Sequence, residues 1–416
     1  MKKNIPTKYN PITHLILYIL LLIVTPFLLQ LHHLQPAIGM LSRLSIHIGK
    51  LKFPVVLSIV FIFVIFLIIK YRKQLTRLNI FTFLFVIFMI FLGQSSTDYY
   101  LNSSFYDLQS NWHYLAYAIF AYMIYRFYKW KKLQAKQIIL NTFITALCIS
   151  TFDEIFQLFM TNRIFDISDI AKDLWGTIIG LIIIFIVIEK GRMIKSDNHP
   201  KKNLYKPVWR IRHRKIKDYF IQPFSLLFLE IIFTYILLLF SSLLTDASCR
   251  KFAVLFTIIG FLIFFFILHN SQKKIFRIIF IGLICIQIIS FIIFFNQNIV
   301  YSSKRLTIYK GIPIPYFDIM IYPNGTFRLV DKKMVFNERD RRTIYQEAED
   351  ILLIGNGYEG KGGKGFPKET EMQFIFNPAK KKGLQIIILK TPEACKEFNR
   401  LKQEGYNVLF INHTSY

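Results

Sequence analysis

Residues 153–180 read DEIFQLFMTNRIFDISDIAKDLWGTIIG, and this stretch decides how the whole chain is interpreted. Carboxylates recur here among Phe, Ile and Leu at spacings that suit a helix. A charged group in such apolar surroundings is costly unless it faces other protein groups or a water-filled cavity. The stretch therefore indicates a polar site inside a helical membrane protein.

The composition excludes an ordinary soluble protein of this size. Of the 416 residues, 54% are hydrophobic and 43 are Phe, and the mean hydropathy is +0.41. These values are typical of a protein with many membrane spans. The formal net charge of +27 would indicate nucleic acid as the partner of a soluble protein. Here the basic residues lie mainly between apolar runs, where they set topology, and we predict no nucleic-acid partner.

Nine apolar runs have the length that a helix needs to cross a bilayer. They lie at about 15–29, 53–70, 78–95, 112–130, 136–159, 170–189, 219–244, 252–269 and 275–296. The first run is interpreted as a retained anchor, since no small-residue cleavage site of a signal peptide follows it. The gap between the seventh and eighth runs is short, so eight spans is the alternative count.

Lysine and arginine in the loops predict the orientation of the spans. These residues are concentrated near 70–77, 126–136 and 190–217, whereas 94–111 contains none. The positive-inside rule then places the N-terminus in the cytoplasm. It also brings the polar ends of the fourth, fifth and sixth spans together at the outer membrane face.

The chain divides by composition into four predicted segments. Residues 1–190 form a six-helix membrane domain, 191–218 a basic cytoplasmic linker, 219–296 three further transmembrane helices and 300–416 a soluble domain. The predicted fold class is a membrane all-α helical bundle of about nine transmembrane helices, followed by a small soluble α/β domain. Nine spans place the last domain outside, whereas a re-entrant segment among the seventh and eighth runs returns it to the cytoplasm.

Within 300–416, strands are predicted at 317–321, 350–357, 385–389 and 406–411. Residues 391–401 are predicted to form a helix with Thr391 as its cap and Pro392 at its first position. The glycine-rich residues 355–365 fit neither nucleotide-binding pattern, which favours a mobile turn over a phosphate cradle. Cys395 lies in the predicted helix, and a buried apolar role is expected for its thiol.

The polar residues of the fourth to sixth spans have both structural and functional interpretations. Glu154 and Gln157 are three residues apart and share a helix face. Glu154 lies at least one turn inside an apolar helix, and a histidine beside it, His113, would complete an acid–base pair. Asp166 and Asp169 suit the N-cap and third position of the sixth helix, where carboxylates accept from free backbone N–H groups.

Three further positions near this cluster complete the pattern. Arg163 either pairs with a neighbouring carboxylate or contacts an anionic headgroup. Gly176 and Gly180 form a small-xxx-small pattern that allows a neighbouring helix to approach closely.

These residues resemble the signature of the VanZ-like membrane proteins. That family combines Glu-x-x-Gln on one helix, an Arg-x-x-Asp-x-x-Asp turn and a helix that opens with Asn-x-x-Gly. The matching positions are Glu154, Gln157, Arg163, Asp166, Asp169 and Gly176. The segment 113–117 also resembles the family's His-Phe-x-x-Tyr helix. Two features differ: Asp173 stands at the usual Asn, and the Asp-Lys pair expected before the histidine is absent.

The resemblance covers about residues 12–190 and implies a cellular location but no specific reaction. It implies a multi-pass protein in the plasma or inner membrane of a prokaryote, acting in the cell envelope, with a possible link to teicoplanin-type glycopeptide resistance. The candidate catalytic residues are His113, Glu154 and Gln157. The candidate substrate-binding residues are Arg163, Asp166, Asp169 and Asp173.

The C-terminal segment resembles a second family, over about 305–413. This is the small α/β domain shared by a mitochondrial complex I assembly factor and an adipogenesis-associated protein. The resemblance rests on Asp318-Ile, Asn324-Gly, the Ile-Gly-x-Gly strand end at 354–357 and Thr391-Pro-Glu-Ala-Cys. It implies no catalytic residue but allows a protein partner.

Three functions remain open at the level of sequence. The first is binding or chemistry on a lipid or lipid-linked glycan headgroup, with an anionic group held by Arg163 and oriented by Gln157 and His113. The second is a non-enzymatic scaffold whose C-terminal domain recruits a partner. The third is a transporter, since isolated intramembrane acids such as Glu230 also mark ion paths.

Metals and cofactors are not part of the prediction. A metal site formed by His113, Glu154, Asp169 and Asp173 is chemically conceivable. No spacing rule selects it, and the nearby Arg163 disfavours a cation. The four cysteines are scattered and show no ligand spacing. We therefore predict membrane lipids and anionic headgroups as partners, with no metal and no cofactor.

Overall fold

A computed structural model describes most of the chain. The described residues are 10–29, 37–38, 40–41, 44–48, 51–72, 76–96, 108–159, 165–189, 215–243, 250–271, 273–315, 317–330, 348–361, 373–377 and 381–414. The chain divides into two compact units. The helical unit comprises residues up to 241 together with 257–261, and the C-terminal unit comprises 242–256 and 262–416.

The helical unit is built from long apolar helices. They are α1 (Pro11–Leu29), α2 (Val55–Tyr71), α3 (Arg77–Ser96), α4 (Leu108–Trp130), α5 (Ala135–Gln157), α6 (Ile167–Ile182), the short α7 (Lys217–Ile221) and α8 (Pro223–Leu243). A π-helical turn, Ile183–Ile188, continues α6. A two-stranded hairpin of β1 (Ser45–Ile48) and β2 (Leu51–Pro54) precedes α2.

Helix α6 is the centre of this unit, and all of its residues except Asp169 are buried. Two glycines allow α4 to lie directly against it. A Cβ atom added to Gly176 would lie 2.8 Å from the carbonyl oxygen of Tyr114, and one on Gly180 would lie 2.7 Å from that of Ala118. Backbone contact of this kind is the close approach that small residues at four-residue spacing permit.

Seven of the described helices are long and apolar enough to cross a membrane. They include α1, α3, α5, α6 with its π-helical turn, and α8. The predicted count of nine spans is not confirmed. Helix α2 has 17 residues, at the short end of the range that crosses a bilayer core. Helix α4 has 23 residues, but five tyrosines, Arg126 and Lys129 make it more polar than the others.

The other two of these seven helices belong at least partly to the C-terminal unit. They are α9 (Arg250–Asn270) and α10 (Lys274–Phe294), and every residue of α10 is at least partly exposed. A protein surface made almost entirely of Ile, Leu and Phe requires lipid around it rather than water. The long apolar helices therefore identify a membrane protein.

A strand-rich region follows α10. A three-stranded antiparallel sheet contains β3 (Ile299–Ser303), β4 (Leu306–Tyr309) and β5 (Ile312–Pro315). A six-stranded sheet has the order β7-β6-β11-β8-β10-β9. Its strands are β6 (Asp318–Ile321), β7 (Phe327–Val330), β8 (Ile351–Asn356), β9 (Gln373–Asn377), β10 (Lys382–Leu389) and β11 (Val408–His413).

The centre of the larger sheet is parallel and its edges are antiparallel. Strands β10 and β11 lie on either side of β8 and run parallel to it. Helix α11 (Thr391–Gln403) connects them and packs its buried face, including Phe398 and Leu401, on the sheet. All six residues of β8 are buried, as expected for a strand covered on both faces.

The predicted strands and helix of this region are present, but one detail of the helix is wrong. Thr391 does not act as the cap: the N-cap position is Lys390, and no side-chain hydrogen bond caps it. The hydroxyl of Thr391 instead accepts from the backbone N–H of Gly357 at 3.0 Å and donates to the carbonyl of His413. The hydroxyl of Thr391 thus bonds to neighbouring strand ends and not to the start of its own helix. Cys395 is buried as expected, and burial raises the pKa of its thiol to about 12.

Candidate functional site

Polar side chains from three helices meet where α4 and α6 begin and α5 ends. We call this set the polar cluster. It comprises His113 of α4 and four side chains of α5, namely Ser150, Asp153, Glu154 and Gln157. Four more lie at the start of α6, namely Asp166, Asp169, Lys172 and Asp173. The hydrogen bonds among them join all three helices. Arg163, which the sequence also nominates, lies outside the described residues.

Asp173 holds the centre of the polar cluster. The Nδ1–H group of His113 donates to Oδ1 of Asp173 at 2.8 Å, and the hydroxyl of Ser150 donates to Oδ2 at 2.6 Å. A carboxylate bound to one ring nitrogen fixes the tautomer and orientation of a histidine. The Nε2 atom of His113 is therefore directed to the other side, where Oδ1 of Asp169 lies 3.9 Å away.

This connectivity excludes a serine-protease type of triad. In such a triad the imidazole lies between the serine and the carboxylate and accepts the hydroxyl proton. Here the carboxylate of Asp173 lies between Ser150 and His113, so the hydroxyl of Ser150 has no base of that kind. The nitrogen available for chemistry is Nε2 of His113, whose side chain is 25% exposed.

Glu154 serves a different connection. Its Oε2 atom accepts from the backbone N–H of Asp166 at 2.8 Å, and its Oε1 atom accepts from the side-chain amide of Gln157 at 3.1 Å. The predicted acid–base pair of His113 and Glu154 is therefore wrong, because the histidine is bonded to Asp173. Glu154 instead ties the end of α5 to the start of α6.

The first turn of α6 has the capping geometry that the sequence predicts. Asp166 is the N-cap residue, and its side chain accepts from the backbone N–H of Ser168 at 2.9 Å. Asp169 follows in the first turn and accepts from the Nζ atom of Lys172 at 2.8 Å. Lys172 is only 2% exposed, so a buried ammonium group stands beside a partly exposed carboxylate.

Helix α3 closes one side of the polar cluster. The side-chain amide of Gln94 donates to Oδ1 of Asn111 at 2.8 Å, and the indole of Trp175 donates to the carbonyl of Met89 at 2.8 Å. A Cβ atom on Gly93 would lie 2.9 Å from both the Trp175 indole and the Tyr114 hydroxyl. These contacts fix the positions of α4 and α6 relative to each other.

Two buried oxygen atoms at this site have no hydrogen-bond partner among the described residues. They are Oδ1 of Asp153 and the hydroxyl of Ser168. Buried polar atoms in native proteins are nearly always satisfied by protein, water or a ligand. The polar cluster thus offers acceptors and donors that its own side chains do not use.

Sequence reasoning missed Ser150, Asp153 and Lys172. A signal existed for two of them: Ser150 lies four residues before Glu154 on the same helix face, and Lys172 lies three residues after Asp169. Asp153 lies beside Glu154, and only the rotation of α5 shows that both contribute. Within the described ranges, no group of three or more His, Cys, Asp or Glu side chains could hold a metal ion.

The family model described as VanZ/LLP1 matches residues 15–188. The matched region contains most of α1, all of α2 to α6 and every member of the polar cluster. The searches of curated proteins and of solved structures found no match. The match supports a VanZ-like interpretation of this region as a membrane protein. The resemblance of the C-terminal region to the complex I assembly factor domain lies outside it and stays a prediction.

Proposed function

We propose that this protein is a VanZ-like integral membrane protein of the cell envelope that binds a lipid or lipid-linked glycan headgroup at the polar cluster. The supporting observation is the fixed His113–Asp173 pair, whose second ring nitrogen lies toward the partly exposed Asp169. Such a histidine can accept a proton from a headgroup hydroxyl or donate one to a phosphate oxygen. A prokaryotic plasma or inner membrane and a role in teicoplanin-type glycopeptide resistance belong to the same proposal.

The charges favour a headgroup rich in hydroxyl or amino groups. The polar cluster contains five carboxylates, namely Asp153, Glu154, Asp166, Asp169 and Asp173, whereas its described cations are Lys172 and, when protonated, His113. Carboxylates accept hydrogen bonds and cannot donate them when ionised. Sugar hydroxyls supply those donors, while Arg163 would receive an anionic part of the same headgroup.

The proposal includes nine membrane spans, with α2 and α4 added to the seven. At 1.5 Å per residue, the 17 residues of α2 extend for about 26 Å, close to the thickness of a bilayer core. The polar residues of α4 do not require water, because α6 and its neighbours bury Tyr114, Tyr117 and Tyr125. With basic loops in the cytoplasm, the polar cluster then lies at the outer face, where headgroups of the outer leaflet are within reach.

Replacement of His113 tests the proposal. Full-length protein is purified in lipid nanodiscs, and retained lipids and lipid-linked glycans are identified by mass spectrometry. We expect His113→Ala to lower the retained headgroup about tenfold or more, which corresponds to about 1.4 kcal/mol. Trp112→Phe is the matched control, because Trp112 is adjacent in sequence but its side chain is 44% exposed. Equal retention in both variants would contradict headgroup binding at this site.

The same pair of variants is then tested for a role in resistance. Wild-type protein is expressed in a bacterium susceptible to glycopeptides, and growth in teicoplanin is measured at equal protein level. We expect protection by the wild type and by Trp112→Phe, and its loss with His113→Ala. Headgroup binding without protection would remove the resistance role and leave the binding role.

An alternative function rests on the C-terminal unit. Phe376 on the edge strand β9 is 67% exposed, and an exposed aromatic residue on a sheet edge suits a protein partner. In that case the protein is a scaffold, and deletion of residues 300–416 abolishes its effect while His113→Ala does not. The two variants therefore distinguish the scaffold from the headgroup-binding protein.

A further inference from the structure

A buried carboxyl group lies in the helical unit away from the polar cluster. Glu230 is on α8 and is only 5% exposed. Both of its carboxyl oxygens are buried and make no hydrogen bond to any described residue. The hydroxyl of Thr234, one helical turn later on the same face, is also buried and has no such bond in the part of the chain that the structure describes.

The surroundings of α8 are aromatic and apolar. Phe233 packs on Phe143 of α5 with ring centroids 6.3 Å apart, and on Phe261 of α9 at 5.4 Å. Tyr235 packs on Trp175 of α6 at 5.8 Å. Neighbouring helices thus cover part of α8, and Glu230 is buried while residues 231–233 remain partly exposed.

The charged groups on the neighbouring helices do not neutralise Glu230. Arg77 lies on α3 and Lys136 on α5, each at the first turn of its helix, and Lys251 lies near the start of α9. The remaining titratable groups on α5 and α6 are Cys148 and members of the polar cluster, and α9 has His269 in its last turn. No ion pair or hydrogen bond joins any described one of these groups to Glu230.

Glu230 is not bonded to the polar cluster. Neither of its carboxyl oxygens has a hydrogen bond to a described residue, so no direct bond joins it to the His113–Asp173 pair.

We propose that Glu230 is a proton-binding site inside the helical unit, independent of headgroup binding. A carboxylate without a partner is strongly disfavoured in a membrane interior, whereas a neutral carboxylic acid is tolerated. The site therefore holds one proton at rest. Release breaks the carboxylic O–H bond, transfers the proton to water and leaves the carboxylate, and it requires water to reach the buried carboxyl group.

Infrared spectroscopy of the full-length protein in nanodiscs is the deciding test. We expect the carbonyl stretch of a protonated carboxylic acid at neutral pH, and its loss in Glu230→Gln. Glu359→Gln is the control, because Glu359 is exposed and forms ion pairs with Lys304 and Lys361, so it is ionised at neutral pH. Absence of a difference band in Glu230→Gln would overturn the proposal.

Thermal stability separates a bound proton from a bound cation. If Glu230 is neutral, the neutral amide of Glu230→Gln preserves its shape and we expect an unchanged or higher melting temperature at neutral pH. If Glu230 is ionised and holds a metal cation, sodium raises the melting temperature of the wild type only, and Glu230→Gln lowers it. That second result would replace the proton with a cation and overturn the proposal.

Discussion

Among the described residues, His113–Asp173 and His413–Asp318 are histidine–aspartate pairs that both use the Nδ1 atom of the histidine, in different environments. In the helical unit, Nδ1 of His113 binds Asp173, and the histidine side chain remains partly exposed. In the C-terminal unit, Nδ1 of His413 binds Asp318, and both side chains are completely buried. We call His113–Asp173 the accessible pair and His413–Asp318 the interior pair. The same contact thus lies at an accessible site in one unit and inside the fold in the other.

The second partners of each aspartate explain the difference. Asp318 also accepts from the backbone N–H of Thr414 at 2.8 Å and from its hydroxyl at 2.7 Å, so it closes the end of β11 onto the start of β6. Asp173 accepts instead from Ser150 on a different helix, and His113 faces Asp169 across the polar cluster. A histidine–aspartate pair alone is therefore not evidence of catalysis, and access to the second ring nitrogen is the informative observation.

Removal of Asp318 is expected to have the largest effect on stability. Asp318→Ala leaves His413 and Thr414 buried without their acceptor, and breaking a buried pair of this kind costs about 3–5 kcal/mol. The measurement is urea-dependent proteolysis of the C-terminal unit in the full-length protein. Glu397→Gln is the control, since the exposed pair of Glu397 with Arg400 contributes less than about 1 kcal/mol. Similar losses in the two variants would show that the interior pair does not stabilise the fold.

Gly176→Ala is expected to disturb the accessible pair by changing the packing of α4 on α6. The added methyl group meets the backbone of Tyr114 and His113 at under 3 Å, so α4 must move away from α6. Overpacking of this kind costs about 1–3 kcal/mol, and we expect weaker headgroup retention because His113 moves from Asp173. Gly282→Ala on α10 is the control, where no atom lies within 4 Å of the new methyl group. Thermal unfolding that is equal for both variants would contradict the close approach.

Asp173→Asn tests the accessible pair directly. The amide keeps the shape of the carboxylate but removes its charge, and charge-assisted hydrogen bonds are about twice as strong as neutral ones. We expect the free energy of unfolding to fall by about 1–2 kcal/mol, less than for Asp318→Ala, because His113 can still reach solvent. The effect on binding should be large despite this small loss of stability: we expect headgroup retention to fall as far as in His113→Ala. Full retention would show that Asp173 does not orient the histidine.

The alkylation rate of Cys395 measures how well the interior pair is shielded from solvent. Its thiol lies 3.7 Å from Oδ1 of Asn412, the residue before His413. Because burial raises its pKa to about 12, the thiol stays neutral at about pH 8.5, where a free thiol is half ionised. We expect alkylation about tenfold or more slower than in the unfolded chain, measured with the other three cysteines replaced by alanine.

The same experiment links the interior pair to the packing around it. Asp318→Ala should accelerate alkylation of Cys395, because local opening exposes the thiol. Rapid labelling of the otherwise unchanged folded protein would show that the interior is open, and the contrast between the two pairs would then disappear.

Local features of the polar cluster were predictable from sequence. Asp166 caps α6 because an aspartate directly before an apolar helical run satisfies a free backbone N–H group. The partner of His113 was not predictable in the same way. Glu154 and Asp173 are both acids on apolar helices, and the choice between them depends on how α4, α5 and α6 are rotated. Lys172 was missed because the sequence does not show that its ammonium group lies inside the bundle.

The sequence by itself determined that long apolar runs make membrane helices, that strands alternate with a helix near the C-terminus, and that acids accumulate at the adjoining ends of α5 and α6. These properties depend on hydropathy and on spacing along one chain segment. Tertiary structure alone decided that Asp173 orients His113 and that Asp318 fixes His413 in an interior. Both outcomes depend on distances of about 3 Å between different elements, which backbone packing at Gly176 and strand pairing of β6 with β11 establish.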